Sequence, residues 1–146
     1  MTLFERIVLA TDGSKNSTSA VAEALRIGKT SGSQVFVVSV IDSRALSSVS
    51  PEIQVTGSIE RMQAEAELII SEVKRLEDGQ NVQAAILYGD PVNEIIKFSQ
   101  SRNADLIVVG TRGKTGIERL FLGSVAEGVV REATCPVLVV KNNDQA

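Results

Sequence analysis

The sequence predicts an α/β protein in which a doubly wound, five-stranded parallel sheet carries helices on both faces. The apolar runs expected to form strands are continuous rather than alternating, which is typical of strands buried on both faces. They alternate along the chain with segments whose apolar residues recur at helical spacing. The 146 residues, 43% of them hydrophobic and 23% charged, suit one domain, so residues 1–146 are expected to fold as a single unit.

The first half of the chain predicts two strands, each followed by a helix. The first strand is expected over 7–10, and the helix after Ser17 rests on a stripe formed by Ala20, Val21, Ala24, Leu25 and Ile27. The second strand, 35–41, is β-branched and almost entirely apolar. A helix of five turns is expected over 59–76, from apolar residues at spacings of three and four: Ile59, Met62, Ala66, Ile69, Val73 and Leu76.

The second half predicts three strands and two helices. A weaker strand, 82–87, precedes Asp90-Pro91, which looks like a helix N-cap followed by proline at the first helical position. The fourth strand is expected over 106–109. The last helix opens at Ser124, before the last strand at 137–140, and its stripe is Val125, Ala126, Val129, Val130 and Ala133.

One long connection shows little periodicity. Residues 42–58 are rich in serine and contain a proline and a glycine. Connections this long in compact domains are usually functional or disordered. Two interpretations remain open: a mobile surface connection, or a lid or partner-contact segment.

Composition excludes several function classes. The chain has no histidine, so it can build neither a Ser-His-Asp triad nor a histidine-ligated zinc site. Cys135 is the only cysteine and is expected to be inert rather than a redox sensor. A net charge of −3 and an aromatic fraction of 3% are unlike a nucleic-acid-binding protein. No apolar run reaches membrane-spanning length, and the first residues do not resemble a secretory signal, so a cytoplasmic protein is expected.

The most informative stretch is the glycine-rich segment 110–125. It follows a buried strand, ends where a helix starts, and contains Arg112, Lys114 and Arg119. Glycines allow close approach of the backbone to a ligand, and the start of a helix attracts anions. The segment therefore predicts a phosphate-binding loop.

Two known phosphate-binding motifs do not fit this segment. Gly113-Lys114-Thr115 matches the end of a Walker P-loop, but that motif needs a glycine where Val108 stands, and Gly116 follows where the helix should start. A dinucleotide fingerprint needs three glycines after the first strand, and only Gly13 is found there.

The spacing of Gly110, Gly113, Gly123 and Ser124 resembles the ATP-binding signature of the universal stress protein family. The resemblance extends to the segments 7–14, 106–110, 122–126 and 135–140, so it covers essentially the whole chain. It implies the sheet order 3-2-1-4-5 and a site for ATP, with Mg²⁺. It also implies a homodimer that pairs through the edge strand Val137–Val140.

Site residues follow from the same resemblance, position by position. The family's phosphate and ribose loop corresponds to Gly110, Arg112, Gly113, Gly123, Ser124 and Val125. Ala10 and Thr11 would line the floor, Asp12 would face the base, the ribose or a metal, and the backbone of Val40 would read the adenine edge. The chain departs from many relatives at Thr111-Arg112, where those have a small residue and a histidine.

Structural roles for these residues stay open. Asp12-Gly13-Ser14 also suits a turn at a helix entry, Gly110 and Gly113 also suit tight turns, and 122–125 also suits an ordinary helix cap. Three functions follow: a stress or signalling protein whose conformation or partner binding depends on ATP, a slow ATPase, or a homodimeric interaction module without nucleotide. No catalytic residue is assigned, because the chain has no histidine and Asp12 is expected away from the γ-phosphate, which leaves Glu118 as the only nearby acid in the loop.

Overall fold

A computed structural model describes residues 3–13, 17–42, 56–76, 81–111 and 122–141, and for 56–59 only the backbone. In these ranges the chain forms five strands and four helices. In chain order they are β1 Arg6–Ala10, α1 Thr18–Ser31, β2 Gln34–Ile41, α2 Thr56–Leu76, β3 Asn81–Tyr88, α3 Pro91–Ser101, β4 Leu106–Gly110, α4 Ser124–Glu132 and β5 Val137–Val140. Arg112, Gly113 and most of the segment 42–58 lie outside the described residues.

The strands form one parallel sheet in the order β3-β2-β1-β4-β5, which confirms the predicted fold and strand order. The central strand β1 is buried on both faces, and Ile7, Val8 and Leu9 are fully inaccessible to solvent. This is why its apolar run is continuous rather than alternating. Since its side chains alternate between the two faces, β1 contributes to two separate cores. Ile7 and Leu9 pack with α1 and α2, whereas Val8 packs with α3 and α4.

The start of β1 is fixed to the start of β4 by one carboxylate. Asp105 accepts hydrogen bonds from the backbone N–H of Glu5 at 2.8 Å and of Arg6 at 3.1 Å, and its own N–H donates to the carbonyl of Arg6 at 2.9 Å. The two strands are about a hundred residues apart in sequence, so this contact closes the fold over most of the chain.

Two residues of the predicted helical stripes are not covered. Leu76 is 57% exposed and Val130 is 48% exposed. Among the side chains described in α2, only Ala66 and Val73 are buried, so Leu76 lies beyond the last buried position of this helix. Val130 lies on α4, which packs against β5 at the edge of the sheet. No further described strand lies beyond β5, so the sheet does not extend under the outer side of α4. Within the described ranges, no helix combines the length and apolar character needed to cross a membrane.

Candidate functional site

A cavity of about 390 Å³ opens at the carboxyl ends of β1, β2 and β4. This is the switch point of the sheet, where the crossovers from β1 and β4 leave on opposite faces and ligands of such folds bind. Helix α2 forms one wall, and the first turns of α3 and α4 form the opposite one.

Every predicted site residue that the structure describes lines this one cavity. They are Ala10, Thr11, Asp12, Val40, Gly110, Gly123, Ser124 and Val125. The two remaining predicted residues, Arg112 and Gly113, lie outside the described residues. Segments more than a hundred residues apart in sequence are therefore brought together at one place.

Hydrogen bonds fix the residues that begin and end the connection between β1 and α1. The N–H of Thr11 donates to the carbonyl of Val38 at 3.0 Å, which extends the parallel pairing of β1 and β2. The buried Thr11 hydroxyl accepts from the N–H of Gly13 at 3.0 Å and lies 2.9 Å from the Ser17 hydroxyl. Asp12, between these fixed positions, is half-buried at the cavity.

Gly13 adopts a φ of +74°, which a residue with a side chain rarely takes. A Cβ at this position would lie 2.2 Å from Cγ1 of Ile69 on α2. The backbone beside Asp12 therefore packs directly on α2, at a distance that only glycine permits.

The two helix N-termini at the cavity differ. At α3 the side chain of Asp90 caps the helix by accepting a hydrogen bond from the N–H of Asn93 at 3.0 Å. At α4 the N-cap is Gly123, which has no side chain to cap the helix, and Ser124 is its exposed first residue. The first N–H groups of a helix have no partner within the helix and carry the positive end of its dipole. The α4 end of the cavity is thus the one suited to an anion.

The part of the cavity away from α4 is acidic. Asp12, Asp42 and Glu65 line it, and no lysine or arginine occurs among its described lining residues. Carboxylates accept hydrogen bonds from hydroxyl and amino groups and repel phosphates. The cavity therefore has one end suited to an anion and another end suited to hydrogen-bond donors.

The described residues contain no cluster of metal-ligating side chains. Among them, no group of three or more acidic or cysteine side chains is placed to hold an ion. A Mg²⁺ that binds together with nucleotide phosphates needs only one or two protein carboxylates, so the expected Mg²⁺ stays a prediction.

Sequence reasoning missed the contributions of α2 and α3 to the cavity. Met62, Glu65, Ala66 and Ile69 form the α2 wall, and Pro91 and Ile95 of α3 belong to the opposite wall. The apolar stripe of α2 was evident in the sequence. Its position over the cavity could have been found from topology, since the helix after β2 must start at the edge where β2 ends.

The fold and the cavity together define a doubly wound α/β protein with a cavity at its switch point. The sequence model of the universal stress protein family matches residues 3–141, and the chain belongs to that family. The chain is 40% identical over 141 residues to universal stress protein MJ0531 of Methanocaldococcus jannaschii, across 95% of this chain and 83% of that one.

Solved structures share the fold. The hypothetical protein MJ0577 superposes with a TM-score of 0.81 at 30% identity, over 99% of this chain and 100% of that chain. A universal stress protein solved in complex with cAMP superposes with a TM-score of 0.69 over 96% of this chain and 98% of that chain. Its identity is 24%, so this likeness extends to the fold alone.

Proposed function

We propose that this protein binds an adenine nucleotide, ATP in the first place, and that its conformation or its choice of partner depends on the bound nucleotide. One observation carries the proposal: the residues that match the family's ATP-binding signature, where described, all line one cavity at the switch point. Its volume of about 390 Å³ lies in the range of small-molecule sites.

The charges of the cavity suggest how the nucleotide lies. The phosphates would face Gly123 and Ser124, where the uncapped start of α4 offers backbone donors. The sugar and base would face Asp12 and Val40, where a carboxylate and the end of β2 offer acceptors. In the reverse orientation the phosphates would lie against Asp12, Asp42 and Glu65, and like charges would repel them.

The experiment is a calorimetric titration with ATP and, separately, with pyrophosphate, each with and without Mg²⁺. Asp12→Ala should weaken ATP binding by about tenfold or more, the value of a lost hydrogen bond to a charged group. It should leave pyrophosphate binding unchanged or stronger, because a nearby negative charge is removed. Glu67→Ala is the matched control: Glu67 is an exposed acid on α2 that does not line the cavity. Wild-type protein that binds no ATP at millimolar concentration would refute the proposal.

A homodimer through β5 is part of the proposal. This strand lies at the edge of the sheet, and Val137, Leu138, Val139 and Val140 are all partly exposed. Exposed edge strands usually need cover. Sedimentation should show a dimer that Val139→Lys dissociates, and a monomeric wild-type protein would contradict this part.

A further inference from the structure

A second opening lies on the outer side of α2, between α2 and α1. This groove encloses about 290 Å³, and we call it the α1–α2 groove. It is lined by Thr11, Gly13, Ser17, Thr18, Val21, Ala22, Leu68, Ile69, Glu72, Val73 and Leu76. Apart from the residues of the β1–α1 turn, its walls are the facing sides of two helices.

The rim of the groove is apolar and open to solvent. Leu68 is 63% exposed and Leu76 is 57% exposed, although both line the groove. A contiguous apolar patch exposed to solvent often marks an interaction site, and these two leucines border one groove with Val21, Ile69 and Val73. Because both leucines face solvent over most of their area, a small molecule inside the groove would leave them uncovered, whereas a protein segment lying along it would not.

The groove also carries one negative charge. Glu72 is the one charged residue among the described residues lining the groove, and it lies between the two leucines. Leu68, Glu72 and Leu76 follow one another at four-residue spacing, so they form a row with a rise of about 6 Å per step. Glu72 forms an ion pair with Arg75 at 2.7 Å, and both side chains are more than half exposed. Exposed ion pairs contribute little to stability, so exchanging Arg75 for a cation of the partner would cost little.

The groove shares a wall with the main cavity. Thr11, Ser17 and Ile69 line both. The contact between Gly13 and Ile69 has no free space, so a shift of the turn that carries Asp12 must move α2 or be blocked by it. Filling one site can therefore alter the other.

We propose that the α1–α2 groove docks an amphipathic helix of a partner protein, one that presents a lysine or arginine flanked one turn away on each side by a large apolar residue. The leucines would pack against the apolar residues, and Glu72 would pair with the cation. The dependence of this docking on ATP rests on the proposed function.

The test is a selection from displayed helical peptides of about 18 residues, five turns, randomised along one face and panned against the full chain. The selected faces should carry the apolar–cation–apolar pattern. Amide chemical shifts of the labelled protein should change along α1 and the outer row of α2 when a selected peptide is added.

The affinity of one selected peptide is then measured for variants of the protein, to test which residues of the groove contribute to binding. Glu72→Gln should weaken binding about fivefold, and Leu68→Ala about tenfold or more. Glu67→Gln, on the same helix but outside the groove, should have no effect. Selected faces without a cation, shift changes located elsewhere, or insensitivity to Leu68→Ala would overturn the proposal. Self-association of the protein that Leu68→Glu abolishes would assign the groove to a second copy instead.

Coupling is measured by repeating the titration with saturating ATP. The peptide affinity should change about fivefold or more, and the peptide should change ATP affinity by the same factor. ATP that binds without changing peptide affinity would overturn the coupling alone. If ATP does not bind at all, the proposed function fails, while the peptide results still decide the groove.

Discussion

Replacing Gly13 by alanine should destabilise the protein through two separable effects. The residue has a φ of +74°, a conformation that costs alanine about 1 kcal/mol relative to glycine. A Cβ there would also lie 2.2 Å from Cγ1 and 2.7 Å from Cδ1 of Ile69, and overpacking of this kind costs about 1–3 kcal/mol. The free energy of unfolding should therefore fall by about 2–4 kcal/mol.

Gly32 provides a matched control within the same chain. Its φ is +69°, nearly equal to that of Gly13, but a Cβ there would meet nothing within 4 Å. Gly32→Ala should therefore carry the backbone cost alone, about 1 kcal/mol. The difference between the two variants measures the overlap with α2.

Urea unfolding of single and double variants isolates that overlap. In an Ile69→Ala background both clashing carbon atoms are gone, and the nearest remaining atom, Cβ of residue 69, would lie 3.3 Å away. Gly13→Ala should then cost no more than Gly32→Ala, which gives a coupling energy of about 1–3 kcal/mol in the double-mutant cycle. Equal costs for Gly13→Ala and Gly32→Ala in the wild-type background would refute the argument.

Two further predictions concern a helix cap and the single thiol. Asp90→Ala should lower the free energy of unfolding in urea by about 0.5–2 kcal/mol, because the N–H of Asn93 loses its acceptor. Burial, and then the negative charge of Asp105, raise the pKa of Cys135, so alkylation by iodoacetamide should be slow in folded protein and faster in urea. The folded thiol keeps its proton to higher pH than the unfolded one. The stability that Cys135 contributes is therefore fully present below the pKa of the unfolded thiol, and it is lost as pH rises through the pKa of the folded thiol.

Controls decide both predictions. Asp90→Asn keeps an acceptor at the cap and should cost much less than the alanine variant; equal losses would show that the cap is not the cause. Alkylation of Cys135 at equal rates in folded and unfolded protein would contradict the effect of burial on its pKa.

The central strands were the most predictable part of the fold. An uninterrupted apolar run such as 106–109 can be buried only if both faces of the strand are covered, and this alone indicates a parallel sheet between helix layers. The start of α3 could also be predicted from the local sequence, because Asp90 supplies the helix cap and Pro91 has a fixed φ that suits the first helical position. The structure confirms both.

Exposure at the ends of helices was not predictable in this way. Periodicity shows which side of a helix is apolar but not how far the neighbouring sheet extends beneath it. Leu76 and Val130 continue the apolar stripes of their helices, yet each is about half exposed. The α2 wall of the cavity escaped prediction for the related reason that it depends on where the helix crosses the sheet edge, which no local pattern records.

The position of β1 has a consequence for the nascent chain. Its neighbours in the sheet are β2 and β4, and the clamp from Asp105 to Glu5 joins positions a hundred residues apart. At about 5–20 residues per second, a ribosome needs roughly 5–20 s to synthesise that interval. During this time the edge of β1 that will pair with β4 has no partner, and unpaired apolar strand edges are prone to aggregate. The cavity cannot assemble until α4 leaves the exit tunnel, because residues of α4 line it, so a ligand bound there can stabilise only a chain that already includes α4.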